Sequence, residues 1–216
     1  MLITCRPALL FMLLTVGLVG ISGAKKDNAQ SNQGSENVAG PEYTADGQLK
    51  LPEHYREWVW LTSDFYKVTD PSKTPAAVHI HFNNMFVNPE AYKAFLLTGT
   101  WPDKTMLVVE QREAGDLGST NPNLQGWVQD SESGLAMHVK DEERFPGQWA
   151  FFAFKGATTA SAMPTTAGCY SCHAAHGAAD TTFVQYYPTL LPIAKKMNTL
   201  STSYVPLDQS LPPHKK

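Results

Sequence analysis

Short segments rich in aromatic and β-branched residues recur along the middle of the chain, and turn-forming residues separate them. Segments of this composition are typical of β-strands. The predicted strands are Tyr55–Leu61, Ala77–Val87, Thr105–Gln111, Gly126–Gln129 and Gln148–Phe154. Strands in succession, with few helical segments among them, predict an α+β fold built mostly on an antiparallel sheet.

Two segments have a helical character instead. Residues 89–97 begin with a proline after Asn88, a plausible N-cap, and are closed by Gly99, so they predict a short helix. A second helix is predicted within residues 181–196, interrupted at Pro188 and Pro192.

The amino-terminal segment predicts export. An apolar run follows Arg6 and ends before Ser22-Gly23-Ala24, a sequence of the small-x-small form that signal peptidases cleave. We therefore expect residues 1–24 to be a removed signal peptide and the mature protein to be periplasmic or otherwise exported. The alternative is an uncleaved membrane anchor, but the run is shorter than the roughly 20 apolar residues that a spanning helix usually needs.

The remainder of the chain divides by composition. Residues 25–48 are rich in Asn, Gln, Ser and Gly, which predicts a flexible leader. Residues 49–197 form the predicted compact domain, and the polar residues 198–216 are expected to be a loose tail.

Charge excludes one class of partner. The chain has 17 basic and 20 acidic residues in 216 and lacks a long basic run, so nucleic acid is not an expected partner. Once the signal is removed, no membrane association is expected either.

The strongest motif is Cys169-Tyr170-Ser171-Cys172-His173, which has the pattern of c-type haem attachment. In that chemistry the two thiols capture the haem vinyl groups as thioethers, and the histidine ligates the iron. One covalent haem c on Cys169 and Cys172, with His173 as the metal ligand, is therefore expected. Export agrees with this expectation, because attachment takes place outside the cytoplasm.

Three other interpretations of the motif remain open. A thioredoxin-like redox pair would be expected in a βαβ context, which the surrounding sequence does not supply. A zinc site could use Cys169, Cys172, His173 and His176, although zinc usually draws a second ligand pair from farther away. The third possibility is a plain disulfide between the two cysteines.

Several blocks resemble one family in order and spacing: the cytochrome P-460 family, with its close relative cytochrome c-prime-beta. The blocks are residues 51–58 (LPEHYREW), 87–92 (VNPEAY), 139–141 (VKD), 147–152 (GQWAFF), the haem motif and 182–188 (TFVQYYP). The resemblance implies a homodimer with one c-type haem per subunit and, usually, an open distal position on the iron. It also implies a soluble redox partner.

The sequence departs from the P-460 pattern at three positions of the haem pocket. Val109, before Glu110, stands where the family has the lysine that crosslinks to the haem, and valine cannot form that bond. Ala136, after Gly134-Leu135, stands where the family has a distal glutamate, and Asn83 matches a family arginine. The resemblance therefore favours the uncrosslinked c-prime-beta type, which binds nitric oxide in an apolar pocket.

Alternation along strands adds neighbours to these positions. If Val109 faces the haem, so do Leu107 and Gln111, and if Asn83 does, so do His79 and His81. The two histidines are expected to be surface residues, iron ligands or proton relays.

Three functions follow as expectations. The first is binding of nitric oxide or a similar small ligand beside Val109, Leu107 and Ala136. The second is oxidation of hydroxylamine or a related nitrogen compound, with His79 or His81 handling protons. The third is electron transfer by a haem whose sixth position a side chain fills.

Overall fold

The computed structural model describes residues 40–70, 72–74 and 77–207. The predicted signal peptide, most of the predicted leader and the end of the predicted tail lie outside these residues. Three α-helices accompany two antiparallel sheets, so the α+β prediction is confirmed. Among the described residues no helix is both long and apolar enough to span a membrane.

The main sheet is a five-stranded antiparallel meander in chain order. Its strands are β2 (Val59–Asp70), β3 (Ala77–Val87), β4 (Met106–Asp116), β5 (Trp127–Lys140) and β6 (Trp149–Ala153), and a separate two-stranded sheet pairs β1 (Leu49–Lys50) with β7 (Thr159–Ala160). The register pairs Asn83 with Gln111, Met85 with Val109, and Val109 with Ala136. Residues that the sequence separates widely are thus brought side by side.

The helices cover one face of the main sheet, which we call the helix face. They are α1 (Pro89–Thr98), α2 (Gly168–His176) and α3 (Leu191–Met197). Phe95 of α1, Ala194 of α3 and the indole of Trp101 are buried in one core cluster with Leu107 and Val87 of the sheet. Burial of these apolar side chains fixes the helices on this face.

The opposite face carries a second core. Met106, Val108 and Met137 point to this side and are buried with Phe152 and with Leu49 of β1. Alternation along β4 therefore places Leu107 in one core and its two neighbours in the other. The sheet is covered on both faces over this half of its length.

The predicted boundaries differ from the observed ones at several elements. Residues 55–57, predicted to begin a strand, form a 3-10 helix, and β2 begins only at Val59. Within the predicted second helix, residues 184–186 form a 3-10 turn and α3 begins only at Leu191. Pro188 lies between these two elements and interrupts the hydrogen-bond ladder that a continuous helix would need. Asn88 is the N-cap residue of α1, but its side-chain oxygen accepts from the Met106 amide at 2.8 Å instead of capping the helix.

Residues beyond both predicted domain ends contact the fold. Tyr43, in the predicted leader, packs its ring edge on Phe145, and Arg144 lies 3.8 Å over the Tyr43 ring. In the predicted tail, the Thr199 hydroxyl donates to the Gly99 carbonyl at 2.7 Å, and Tyr204 packs against the helix-face core.

Candidate haem site

Helix α2 carries the cysteine motif. Cys169 and Cys172 are three residues apart, so both thiols lie on the same side of the helix. Both are free thiols, and Cys172 is exposed, whereas Cys169 Sγ lies 3.9 Å from the Met163 sulfur. The predicted disulfide alternative is thus not formed in this structure, and both sulfurs are available for covalent attachment.

His173 is oriented by a backbone carbonyl. Its Nδ1 lies 2.8 Å from the Thr181 oxygen, which can only accept, so Nδ1 carries the proton and Nε2 keeps its lone pair. This arrangement is the one by which proteins hold metal-ligating histidines. Burial lowers the pKa of His173, and the hydrogen bond to Thr181 opposes that shift.

The Thr181 carbonyl is presented by a strained turn. Asp180 and Thr181 both have positive φ, 50° and 58°, a conformation that is uncommon for a β-branched residue such as threonine. Lys140 holds this turn, because its ammonium donates to the Asp180 carboxylate and to the Trp101 carbonyl, both at 2.9 Å. Lys140 is buried, so it is a structural partner of the turn rather than a surface residue.

Gly177 allows the turn to approach the end of α2. A Cβ at this position would lie 2.7 Å from the Thr181 carbonyl carbon and 2.7 Å from the His173 oxygen. Both atoms belong to the backbone and cannot move aside, so only glycine permits this contact. The close approach is what brings the Thr181 carbonyl within reach of His173.

The His173 ring packs on one row of the helix face. Phe151 and His138 face it at ring-centroid distances of 4.7 and 4.9 Å, and Phe183 covers it from outside at 4.4 Å. His138 is stacked on Phe151 at 4.0 Å and is buried, with no hydrogen-bond partner for either ring nitrogen among the described residues. Burial, and then the neighbouring His173, lower the pKa of His138 well below its ordinary value, so its ring is neutral.

His138 is a site residue that the sequence analysis missed. It stands two positions after Ala136 on the same face of β5. The predicted strand ended at Gln129, nine residues before His138, so strand composition gave no signal for it. The contact between His138 and His173 depends on where α2 packs against the sheet. The alternation of residues along a strand does not give that position.

A cavity of about 350 Å³ begins at the next row of the same face. Its lining residues are Tyr66, Asn83, Val109, Gln111, Ser133, Gly134, Leu135, Ala136, Ala153 and Lys155. Ala136 and Ala153 are two residues along their strands from His138 and Phe151, so the cavity adjoins the surface on which His173 packs. Small side chains at this row leave the space open.

The predicted pocket residues are only partly brought together here. Val109, Ala136 and Asn83 line the same cavity, whereas Leu107 is buried in the helix-face core and does not line it. Tyr66 and Gln111 add polar groups. The wall of the cavity is therefore mixed in character rather than purely apolar.

The two predicted histidines of β3 lie farther out. His79 is exposed, and His81 is partly buried with its Nδ1 3.4 Å from a Glu113 carboxylate oxygen. The His81 ring lies 5.5 Å from that of Tyr66. Neither histidine lines the cavity.

The donor set fits a covalent haem. Two unbonded thiols share one side of α2, the next residue is a neutral histidine with a free Nε2, and an adjoining cavity offers space. The described residues hold no group of three or more His, Cys, Asp or Glu side chains able to bind a metal ion, as a zinc site would require. Together, these features define a cytochrome with a c-type attachment motif on an antiparallel-sheet scaffold.

Comparison with known proteins agrees with that class. The family model for Cytochrome P460 matches residues 52–184, and the chain belongs to this family. It is therefore a c-type haem cytochrome. A search of curated proteins gave no match.

Proposed function

We propose that this protein is an exported mono-haem cytochrome that binds nitric oxide or a similar small molecule at an open iron position. Haem c would be attached through Cys169 and Cys172, with His173 as the axial ligand. When bound, the haem would supply an iron atom that takes diatomic ligands and changes oxidation state by one electron. A homodimer and a soluble redox partner belong to the same proposal by family resemblance.

The composition of the cavity wall carries the proposal. None of the residues that line the cavity is a histidine, methionine or cysteine, the side chains that most often fill a haem's sixth position. Val109 and Ala136 contribute only small apolar groups there. A small neutral molecule can enter such a space without losing hydrogen bonds to water, as a charged one would.

The residues that line the cavity also favour a haem without a lysine crosslink. The position expected for the crosslinking lysine is Val109, whose side chain has no nucleophilic atom. Lys155 lines the cavity but is exposed at the turn after β6, with φ of 47°. An ordinary c-type optical spectrum is the expected consequence.

A second candidate function is oxidation of hydroxylamine or a related nitrogen compound. Such a reaction has to remove protons from the substrate. The observation that favours it is Asp64, whose pKa is raised by burial and whose Oδ1 is buried with no partner among the described residues. Asp64 interacts with the Asn83 side chain, and Asn83 lines the cavity. A proton acceptor therefore lies next to a residue of the cavity wall.

The optical spectrum of the purified, reduced protein tests these functions. A high-spin spectrum at the ordinary c-haem position that changes with nitric oxide is expected, without reduction of an added acceptor by hydroxylamine. A strongly red-shifted Soret band would contradict the uncrosslinked haem, and hydroxylamine-dependent reduction of the acceptor would favour the second candidate.

A sharp low-spin spectrum that ignores ligands would instead mean a six-coordinate electron carrier. His79→Ala and His81→Ala then identify the ligand, because only loss of the ligating side chain restores the high-spin spectrum. His173→Ala is the matched control for the axial position, and its loss of the c-type spectrum is expected in every case.

A further inference from the structure

Polar groups form one end of the cavity. Tyr66, Asn83 and Gln111 line it together with Val109 and Ala136. Asn83 and Gln111 are cross-strand partners, two residues along the strands from the Met85 and Val109 pair. Because alternate residues share a face, the polar end continues the wall that Val109 begins.

The orientation of Asn83 is determined by Asp64. Asn83 is the cross-strand partner of Asp64, and Tyr66 stands two residues after Asp64 on the same face of β2. The Asn83 side chain favours the ionised Asp64 carboxyl and so opposes the burial that raises its pKa. A carboxylate can only accept, so the Asn83 amide nitrogen faces Asp64.

Gln111 directs its amide nitrogen toward Tyr66. Its Nε2 donates to the Tyr66 hydroxyl oxygen, and its Oε1 accepts from the Ser133 hydroxyl at 3.5 Å. A phenol oxygen accepts through its lone pairs and donates one proton, so accepting from Gln111 leaves the Tyr66 proton to be donated elsewhere.

That proton has no acceptor in the part of the chain that the structure describes. The unpartnered Asp64 Oδ1 does not take it. The Tyr66 ring is meanwhile held by His81, which lies against it at 5.5 Å with an angle of 36° between the planes. Tyr66 is thus a positioned donor at the cavity wall, and its proton meets no acceptor among the described residues.

We propose that the Tyr66 hydroxyl donates a hydrogen bond to the small ligand held in this cavity. The inference rests on the proposed function, since it needs a ligand at the open position. The Tyr66 donor selects a small uncharged ligand, such as nitric oxide, that has a lone pair on the atom pointing into the cavity. Gln111 acts as a positioning residue, because its donation to the phenol oxygen directs the phenol proton.

The test compares the haem-loaded wild type with Tyr66→Phe. Loss of one hydrogen bond is expected to speed nitric oxide release by roughly 2- to 12-fold. The carbon monoxide stretching frequency of the reduced protein should rise, because a donor near the ligand oxygen draws charge onto it. In the wild type the same band should move in D2O, since the donated proton exchanges.

The matched control is Tyr92→Phe, which removes a phenol hydroxyl that does not line the cavity. It should leave both the release rate and the stretching frequency unchanged. Equal values for Tyr66→Phe and wild type, together with no D2O effect, would overturn the role of Tyr66 while leaving ligand binding intact. A wild type that binds neither molecule would overturn the proposed function itself, and the donor role with it.

Discussion

Glu110 anchors the strand that carries the cavity residues Val109 and Gln111. Its side chain points away from them, into the opposite core, where it is 3% exposed. Glu110 Oε2 accepts from the Tyr55 hydroxyl at 2.5 Å and from Arg56 Nε at 2.6 Å, and Oε1 accepts from Arg112 at 3.0 Å. Replacing Glu110 with Gln should therefore destabilise the fold without changing the size of the side chain.

The size of the effect follows from these three contacts. A glutamine can place its oxygen toward Tyr55 and Arg56, but its NH2 group then meets the Arg112 donor at the former Oε1 position. One charge-assisted hydrogen bond is lost and the others become neutral acceptors, which costs roughly 2–3 kcal/mol in total. The Arg56 ion pair contributes little beyond its hydrogen bond, because the Arg56 side chain is 57% exposed and solvent screens its charge.

The pH dependence gives the sharper test. Burial opposes ionisation of Glu110, but the hydrogen bonds from Tyr55, Arg112 and Arg56 lower its pKa below the ordinary value. A carboxyl with a lowered folded-state pKa stabilises the fold above its unfolded pKa, and this stabilisation is lost as the pH falls through the folded pKa. The difference between wild type and Glu110→Gln should therefore be full at pH 7 and shrink in acid.

Urea denaturation of the haem-loaded protein, followed by far-ultraviolet circular dichroism, measures this difference at each pH. Glu132→Gln is the control, because Glu132 also pairs with Arg56, at 2.9 Å, but is partly exposed and should contribute less than about 1 kcal/mol. A Glu110→Gln difference that is no larger than that of the control, or that stays constant from pH 7 into acid, would refute the argument.

Four further substitutions have expected outcomes. Gly99→Ala should lower the free energy of unfolding by at least about 1 kcal/mol in urea denaturation, because φ is 74° and a Cβ would lie 2.7 Å from the nearest side-chain atom. Lys140→Met removes the buried ammonium from the Asp180 carboxylate, which keeps the longer hydrogen bond from Trp149 Nε1 at 3.3 Å, so a loss of roughly 1–3 kcal/mol and a changed reduction potential are expected by denaturation and voltammetry. Cys169→Ala and Cys172→Ala should each leave the haem attached by a single thioether. The pyridine haemochrome spectrum reports this change as a red shift of its α band.

Strand composition predicted the centre of the fold better than its edges. Residues 77–87 form β3 as predicted, because β-branched and aromatic residues recur along the segment, at Val78, Ile80, Phe82, Phe86 and Val87. β5 extends eleven residues past the predicted Gln129, to Lys140. Its middle, residues 130–134, is polar and contains Gly134, so propensity gave no signal there. Pairing with β4 on one side makes these exposed residues a strand, which is a tertiary effect.

The candidate site shows the same division. The spacing of Cys169, Cys172 and His173 is local and could be recognised in the sequence alone. The hydrogen bond from His173 to Thr181 spans eight residues and depends on two residues with positive φ, which neither threonine nor aspartate predicts. The sequence did not point to Tyr66 either. Its hydroxyl reaches Gln111 of β4 because β2 pairs with β3, and β3 with β4, in the observed register.

The cavity has a structural origin in the helix face itself. Where Leu107 and Phe151 face the helices, large side chains complete a packed core. Two residues farther along the strands, on the same face, the side chains are those of Val109, Ala136 and Ala153, and they are too small to fill the space beyond the helices. The volume is therefore open because the packing of this face changes from one row to the next. His173 packs on the filled row and Tyr66 lines the open one, so this change in packing sets the proposed metal ligand beside the cavity and the proposed hydrogen-bond donor on its wall.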